Sequence, residues 1–155
     1  GNDLWRLTNE IKKLISFKSE INNKDVELLV KPKIETDIFK TIDALASRNK
    51  KIALELVHQH LEKGDHPLYL LSMINFQFRN LLMIKDLIEK HQPYQYILQK
   101  TRLKPFVVEK SFQQAKKFNL EELKKIYQKI FEVDLNIKTG RLDPQTALDL
   151  FIAEI

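Results

Sequence analysis

Residues 134–150 read D-L-N-I-K-T-G-R-L-D-P-Q-T-A-L-D-L, and this run joins two helices. The first comes down to Lys138, where Gly140 can take the left-handed conformation that closes a helix C-terminus. Asp143 and Pro144 then supply the cap and first-turn pair that open another helix, which runs to Ala153. Upstream, Leu123, Ile126, Ile130, Val133 and Ile137 alternate in steps of three and four. That spacing predicts a helix over 120–138 with one narrow packing seam.

The rest of the chain follows the same period. Gly64 ends a helix over 50–61, and Asp65 or His66 caps the next one, which extends to about Lys90. This helix is apolar on most of its circumference, so it must be covered on several sides and belongs in the middle of a bundle. Helices are also expected over 35–46, with Ile38, Ile42 and Leu45 inward, and over 94–99 and 105–117. On 50–61 the inward set is Ile52, Leu56 and Leu61. An amphipathic helix over 3–18 (Leu4, Leu7, Ile11, Leu14, Ile15) and a short one over 24–30 open the chain. Lys31-Pro32-Lys33 breaks the pattern, because the residue before Pro avoids the helical region. The expected organisation is all-α: a small helical segment over 1–32, then a helical bundle over 33–155.

Composition agrees. The 155 residues include only 3 Gly and 5 Pro, which leaves little material for many tight turns, and 43% are hydrophobic against 30% charged. With no Cys, disulfides and thiolate metal sites are excluded, and a reducing compartment fits. Apolar runs such as 68–71 and 81–84 are far too short to span a bilayer. No secretory signal opens the chain, and the first residue is Gly1 rather than Met, which reads as a piece of something longer. The net charge of +5 is concentrated: residues 98–141 hold 11 Lys or Arg against 5 Asp or Glu.

Groups that suggest chemistry have plainer explanations. His58 and His60, two apart on a helix, point to nearly opposite sides and cannot share a metal ion with Asp65 and His66; solvated surface histidines are expected. Glu121 and Glu122 sit in a first helical turn, where they complement the helix dipole. Lys138-Thr139-Gly140 matches a β-lactamase motif by letter, but without the accompanying S-x-x-K and S-D-N. No phosphate-cradling glycine loop is present, and neither a cofactor nor a catalytic residue is expected. The segment 94–117 imitates a helix-turn-helix, with Lys100, Arg102, Lys104, Lys110, Lys116 and Lys117 nearby as candidate DNA contacts. Its alternative is a solvated basic face over a core of Leu103, Phe106, Val107 and Phe112. Gln77 and Arg79 are strongly polar on an otherwise greasy helix: they either bond within the bundle or meet a neighbouring subunit. Asp134 raises the same choice, with Lys138 one turn on as a local partner.

Two stretches carry a family resemblance. I-K-T-G-R-L-D-P-x-x-A-L, from Ile137 to Leu148, resembles the last helical hairpin of the delta subunit of the bacterial DNA polymerase III clamp loader. D-H-P-L-Y-L-L-S-M-I-N-F-Q-F-R-N-L-L, from Asp65 to Leu82, resembles the central helix of the same family's C-terminal domain. The opening G-N-D-L-W-R-L-T-N-E-I and D-V-E-L-L-V (Asp25 to Val30) look like the end of its AAA+ lid, and residues 34–155 like its whole collar. ATP-binding relatives carry an Arg three residues after a Gly at the start of this lid helix; here Leu4 holds that offset from Gly1, and Arg6 lies two positions on. The resemblance therefore implies a delta-type subunit that does not hydrolyse ATP, although its parent belongs to a DNA polymerase (nucleotidyltransferase) holoenzyme.

On that resemblance the expected role is a non-catalytic oligomerisation module that holds the subunit in a pentameric loader during DNA replication in the bacterial cytoplasm. Its partners would be the ATPase and delta-prime type subunits, with Gln77, Arg79, Lys138 and Arg141 as candidate interface residues. Contact with the sliding clamp is expected only from an N-terminal part this chain lacks. The competing expectation is a DNA-binding module using 98–141, its binding weak and non-specific.

Overall fold

A computed structural model describes residues 4–30 and 34–155, with the side chains of Arg6 and residues 34–37 left aside. The expected break at Lys31-Pro32-Lys33, and the readings placed on Gly1 and on the Arg6 side chain, lie outside the described residues. The chain divides into two units, 1–34 and 35–155.

The first unit holds α1 (Leu4–Phe17) and α2 (Asn23–Leu29), packed on each other. Asn22 caps α2: its side-chain oxygen accepts from the Asp25 amide (3.0 Å), and the Asp25 carboxylate accepts from the Asn22 amide (2.9 Å). The bond from the Asn22 backbone amide, with the Lys18 ammonium beside it, holds the Asp25 carboxyl below its ordinary value. The stripe expected to face inward on α1 forms, but Leu4, Leu7, Ile11 and Ile15 stay exposed, and Leu14 is half-buried. Trp5 is 78% exposed.

The second unit contains α3 (Ile34–Ala46), α4 (Lys50–Glu62), α5 (Pro67–Glu89), α6 (Tyr94–Thr101), α7 (Pro105–Ala115), α8 (Leu120–Lys138) and α9 (Pro144–Glu154). All described regular structure is helical. His66 is the N-cap of α5, and Pro67 takes the first helical position, where a missing N–H costs nothing. α5 is the hub: α4, α6, α7, α8 and α9 all pack against it. Leu70, Leu71, Ile74, Phe78, Leu81 and Ile84 are buried along its length, each worth roughly 1.5–3 kcal/mol for the side chain removed from water. The whole α8 seam is buried as its spacing requires, and Ile38, Ile42 and Leu45 are buried on α3.

Two helices face the core in a different register from the one their apolar residues suggest. On α4 the buried positions are Ala53, Val57 and His60, whereas Ile52 is 45% exposed. Rotation by one residue is tolerated because the Asp65 carboxylate meets His60 Nδ1 at 2.9 Å and satisfies the buried ring. His60 is therefore a core residue and not a solvated histidine. His58, half-buried, reaches Asp149 on α9 at 2.9 Å. On α7 the inner positions are Val108, Ser111, Gln114 and Ala115, and Phe118 follows them into the core. Phe106 is 48% exposed, and Leu103, Val107 and Phe112 are only half-buried, so the expected core under the basic segment is displaced. Small inner residues let α7 lie close to α5, while its aromatics turn to the flanks. There Phe112 meets Tyr94 (ring centroids 5.2 Å apart) and Phe106 meets Phe39 (5.8 Å). Gln114 Nε2 also donates to the Phe39 carbonyl at 3.0 Å, tying α7 to α3.

The α8–α9 connection matches its sequence closely. Gly140 has φ of +70°, its amide donates to the Ile137 carbonyl (3.0 Å), and the Arg141 amide donates to Asn136 (2.8 Å). One oxygen of Asp143 accepts from the Gln145 amide (3.1 Å), the Thr146 amide (3.0 Å) and the Thr146 hydroxyl (3.1 Å). These bonds, the Thr146 amide first, hold the Asp143 carboxyl below its ordinary value, so the charged cap favours the folded chain. A depressed folded-state value means stabilisation that is complete above the unfolded carboxyl range and lost as pH falls through the folded value. Asp143→Asn keeps a capping oxygen but cannot titrate. Its melting temperature should therefore fall less steeply than that of the parent on acidification below about pH 4, the ordinary Asp range. Parallel slopes in circular-dichroism melts would refute this.

Candidate subunit interface

Arg79 and Gln77 are two residues apart on α5, which places them on roughly opposite sides of the helix. Gln77 is 2% exposed and belongs to the core, so the expectation that it meets a neighbouring subunit is corrected by its position: it faces inward and no partner chain can reach it. Arg79 is exposed, with its guanidinium carbon 5.5 Å from the centre of the Phe76 ring, within cation–π range. Among the described residues no carboxylate pairs with it.

Arg79 stands on the rim of a groove of about 290 Å³ lined by Ser72, Met73, Asn75, Phe76 and Tyr127 as well. Tyr127 comes from α8, which runs antiparallel to α5: Lys124, one turn earlier, feels the carboxylates of Asp86 and Glu89 near the far end of α5. On α8 a second stripe lies beside the buried seam. Tyr127 is half-buried, Phe131 is 64% exposed and Leu135 is 45% exposed, at spacings of four. Tyr69 on α5 is also exposed. Sequence reasoning passed over this stripe, although its i, i+4, i+8 spacing was a readable signal.

Lys138 lies on the same side of α8, seven residues beyond Phe131, and its ammonium meets Asp134 at 2.6 Å. Arg141 is exposed just past the helix end. Glu121 and Glu122 occupy the first turn of α8, and the bond from Lys124 (2.7 Å) holds Glu121 below its ordinary value.

The six candidate DNA contacts are spread along α6, α7 and the turns that follow them. Lys100 ends α6, Arg102 closes it in the left-handed conformation (φ 53°), and Lys104 is the N-cap of α7, so these three share one turn. Lys110 is exposed farther along α7. Lys116 lies over the Phe112 ring at 4.5 Å, and Lys117 is held by Asp43 at 3.1 Å. Lys138-Thr139-Gly140 lies at a helix C-terminus rather than on a strand. Among the described residues no three His, Cys, Asp or Glu side chains gather as a metal site, and no helix is long and apolar enough to cross a membrane.

Nine helices among the described residues, seven of them in the unit organised round α5, define the class: an all-α helical-bundle protein. More narrowly, residues 35–155 match the family described as DNA polymerase III delta subunit, C-terminal domain, and the chain belongs to it. The DNA polymerase III subunit delta of Bacillus subtilis (strain 168) is 31% identical over 155 residues, covering 98% of this chain and 45% of that protein. The solved structure of the Bacillus subtilis DNA clamp loader delta protein superposes with a TM-score of 0.82 at 31% identity, covering 94% of this chain and 44% of that one. The chain thus spans a little under half the length of both relatives.

Proposed function

We propose that this chain is the non-catalytic assembly module of a clamp loader delta subunit, fastening the subunit to the ATPase and delta-prime type subunits of the loader. Residues 33–155 form the collar part and residues 1–32 the end of a preceding lid. The observation that carries this reading is the likeness to a DNA clamp loader delta protein over 94% of the chain. The build suits the role: a bundle packed round its own central helix can present outer faces to neighbours without rearranging. Its interfaces would bury on the order of 800 Å² on each side and centre on aromatic and Arg anchors.

Light scattering after gel filtration tests the reading, using this chain alone and mixed with the loader ATPase subunit of the same source. A shift of both proteins into one larger species supports assembly. Two species eluting unchanged at concentrations well above micromolar oppose it. Weak non-specific DNA contact is a second reading, favoured by the three cations sharing the α6–α7 turn. Duplex DNA added to the same runs at low salt would co-elute with the chain in that case.

A further inference from the structure

We propose that the groove between α5 and α8 lined by Arg79, Phe76 and Tyr127, together with the exposed Phe131 one turn further along α8, seats a helix of a different loader subunit that carries a carboxylate flanked by apolar side chains. This deepens the assembly reading and rests on it. The shape argues for a helix. Met73 and Phe76 on α5 and Tyr127 on the antiparallel α8 line the trough, and the exposed Phe131 and Leu135 continue the Tyr127 stripe along α8. Tyr127 to Leu135 spans about 12 Å at 1.5 Å per residue, the length of roughly two turns of a partner helix laid ridge into groove. Large side chains exposed at regular spacing cost solvation in the free chain and are the type that anchor interfaces.

Charge argues for the carboxylate. Arg79 has no anionic partner among the described residues, and its guanidinium is already oriented against Phe76, so a bidentate acceptor arriving there meets a preorganised fork. Charge also argues against a second copy of this chain. The acids on α8 that flank its stripe are Asp134, engaged by Lys138 at 2.6 Å, and Glu132, engaged by Lys129 at 3.6 Å. Two such faces brought together would leave both Arg79 side chains without a free carboxylate, which disfavours self-association.

The absence of Cys makes the test clean. Phe131→Cys places one thiol on the exposed α8 stripe one turn from Tyr127, and Gln59→Cys places a control thiol on the outer side of α4. Both positions are exposed, and circular dichroism verifies that each variant folds. The rate of maleimide labelling is measured with and without the loader ATPase and delta-prime type subunits. The expected result is at least tenfold slower labelling at Phe131→Cys in the complex, with Gln59→Cys unchanged. Arg79→Glu is expected to weaken the complex by about 30-fold, the effect of losing one interface anchor and setting acid against acid. A complex that forms while Phe131→Cys labels as fast as in the free chain overturns the groove and leaves assembly standing. Failure of the parent chain to form any complex overturns both. Concentration-dependent protection in the chain alone assigns the groove to a second copy and overturns the occupant named here.

Discussion

Phe78→Ala should destabilise the bundle by about 3–5 kcal/mol, the range for deleting a buried aromatic side chain that its surroundings cannot refill. Phe78 is 0% exposed at the middle of α5, and its ring meets Phe118 edge-on with centroids 6.0 Å apart. Removal also forfeits the aromatic pair, worth about 0.5–1.5 kcal/mol beyond the buried area. Against a typical total stability of about 5–15 kcal/mol this is a large fraction, and the melting temperature should drop by roughly ten degrees or more. Urea unfolding followed by far-ultraviolet circular dichroism is the measurement. Tryptophan fluorescence would mislead, because the one Trp, Trp5, is exposed in the first unit and does not report the bundle. A loss below about 1 kcal/mol would mean that α5 is not the hub.

The parts of this fold that are legible in the sequence are those set by neighbours along the chain. The α8–α9 hairpin needs only a residue able to adopt positive φ at Gly140 and a capping carboxylate followed by proline at Asp143. α5 is recognisable because few other arrangements can cover a helix apolar nearly all round. The registers of α4 and α7 were not legible, and the reason is physical. Their inner faces use Ala53, His60, Ser111 and Gln114, small or polar residues that look like surface. The Asp65 carboxylate satisfies His60 and the Phe39 carbonyl accepts from the Gln114 amide, and neither pairing has a spacing rule.

The candidate interface divides in the same way. Arg79 stood out as a charge on a greasy helix, but Gln77 stood out for the same reason and proved to be core. A helix of 23 residues with five helical neighbours leaves only a narrow strip of its surface open, and two positions along the chain suffice to move from core to rim. Phe131 was hidden for the opposite reason: an aromatic in an amphipathic helix is assumed to be inside. Apolar atoms supply more than half of a folded protein's surface, so only the exposed cluster with Tyr127, Leu135 and Phe76 gives it meaning.

If the proposed interface holds, adjacent residues on α8 should separate folding from association. Ile130 is 1% exposed within the seam, and Phe131 is 64% exposed beside it. Ile130→Ala should cost about 2–5 kcal/mol of stability, because it leaves a cavity where α8 meets α5. Phe131→Ala removes a larger side chain, yet should alter stability by no more than about 0.5 kcal/mol, since it creates no cavity. The two variants should exchange rank when binding to the other loader subunits is measured. Phe131→Ala loses affinity while melting like the parent, whereas Ile130→Ala, assayed at a temperature where it remains folded, binds nearly as the parent does. If Phe131→Ala instead melts far below the parent, that side chain is part of the core and the exposed stripe does not exist. If it melts and binds like the parent, the stripe exists but is not where the neighbouring subunit sits. Calorimetric melts and affinity measurements on this single pair of substitutions thus test the packing register and the interface independently.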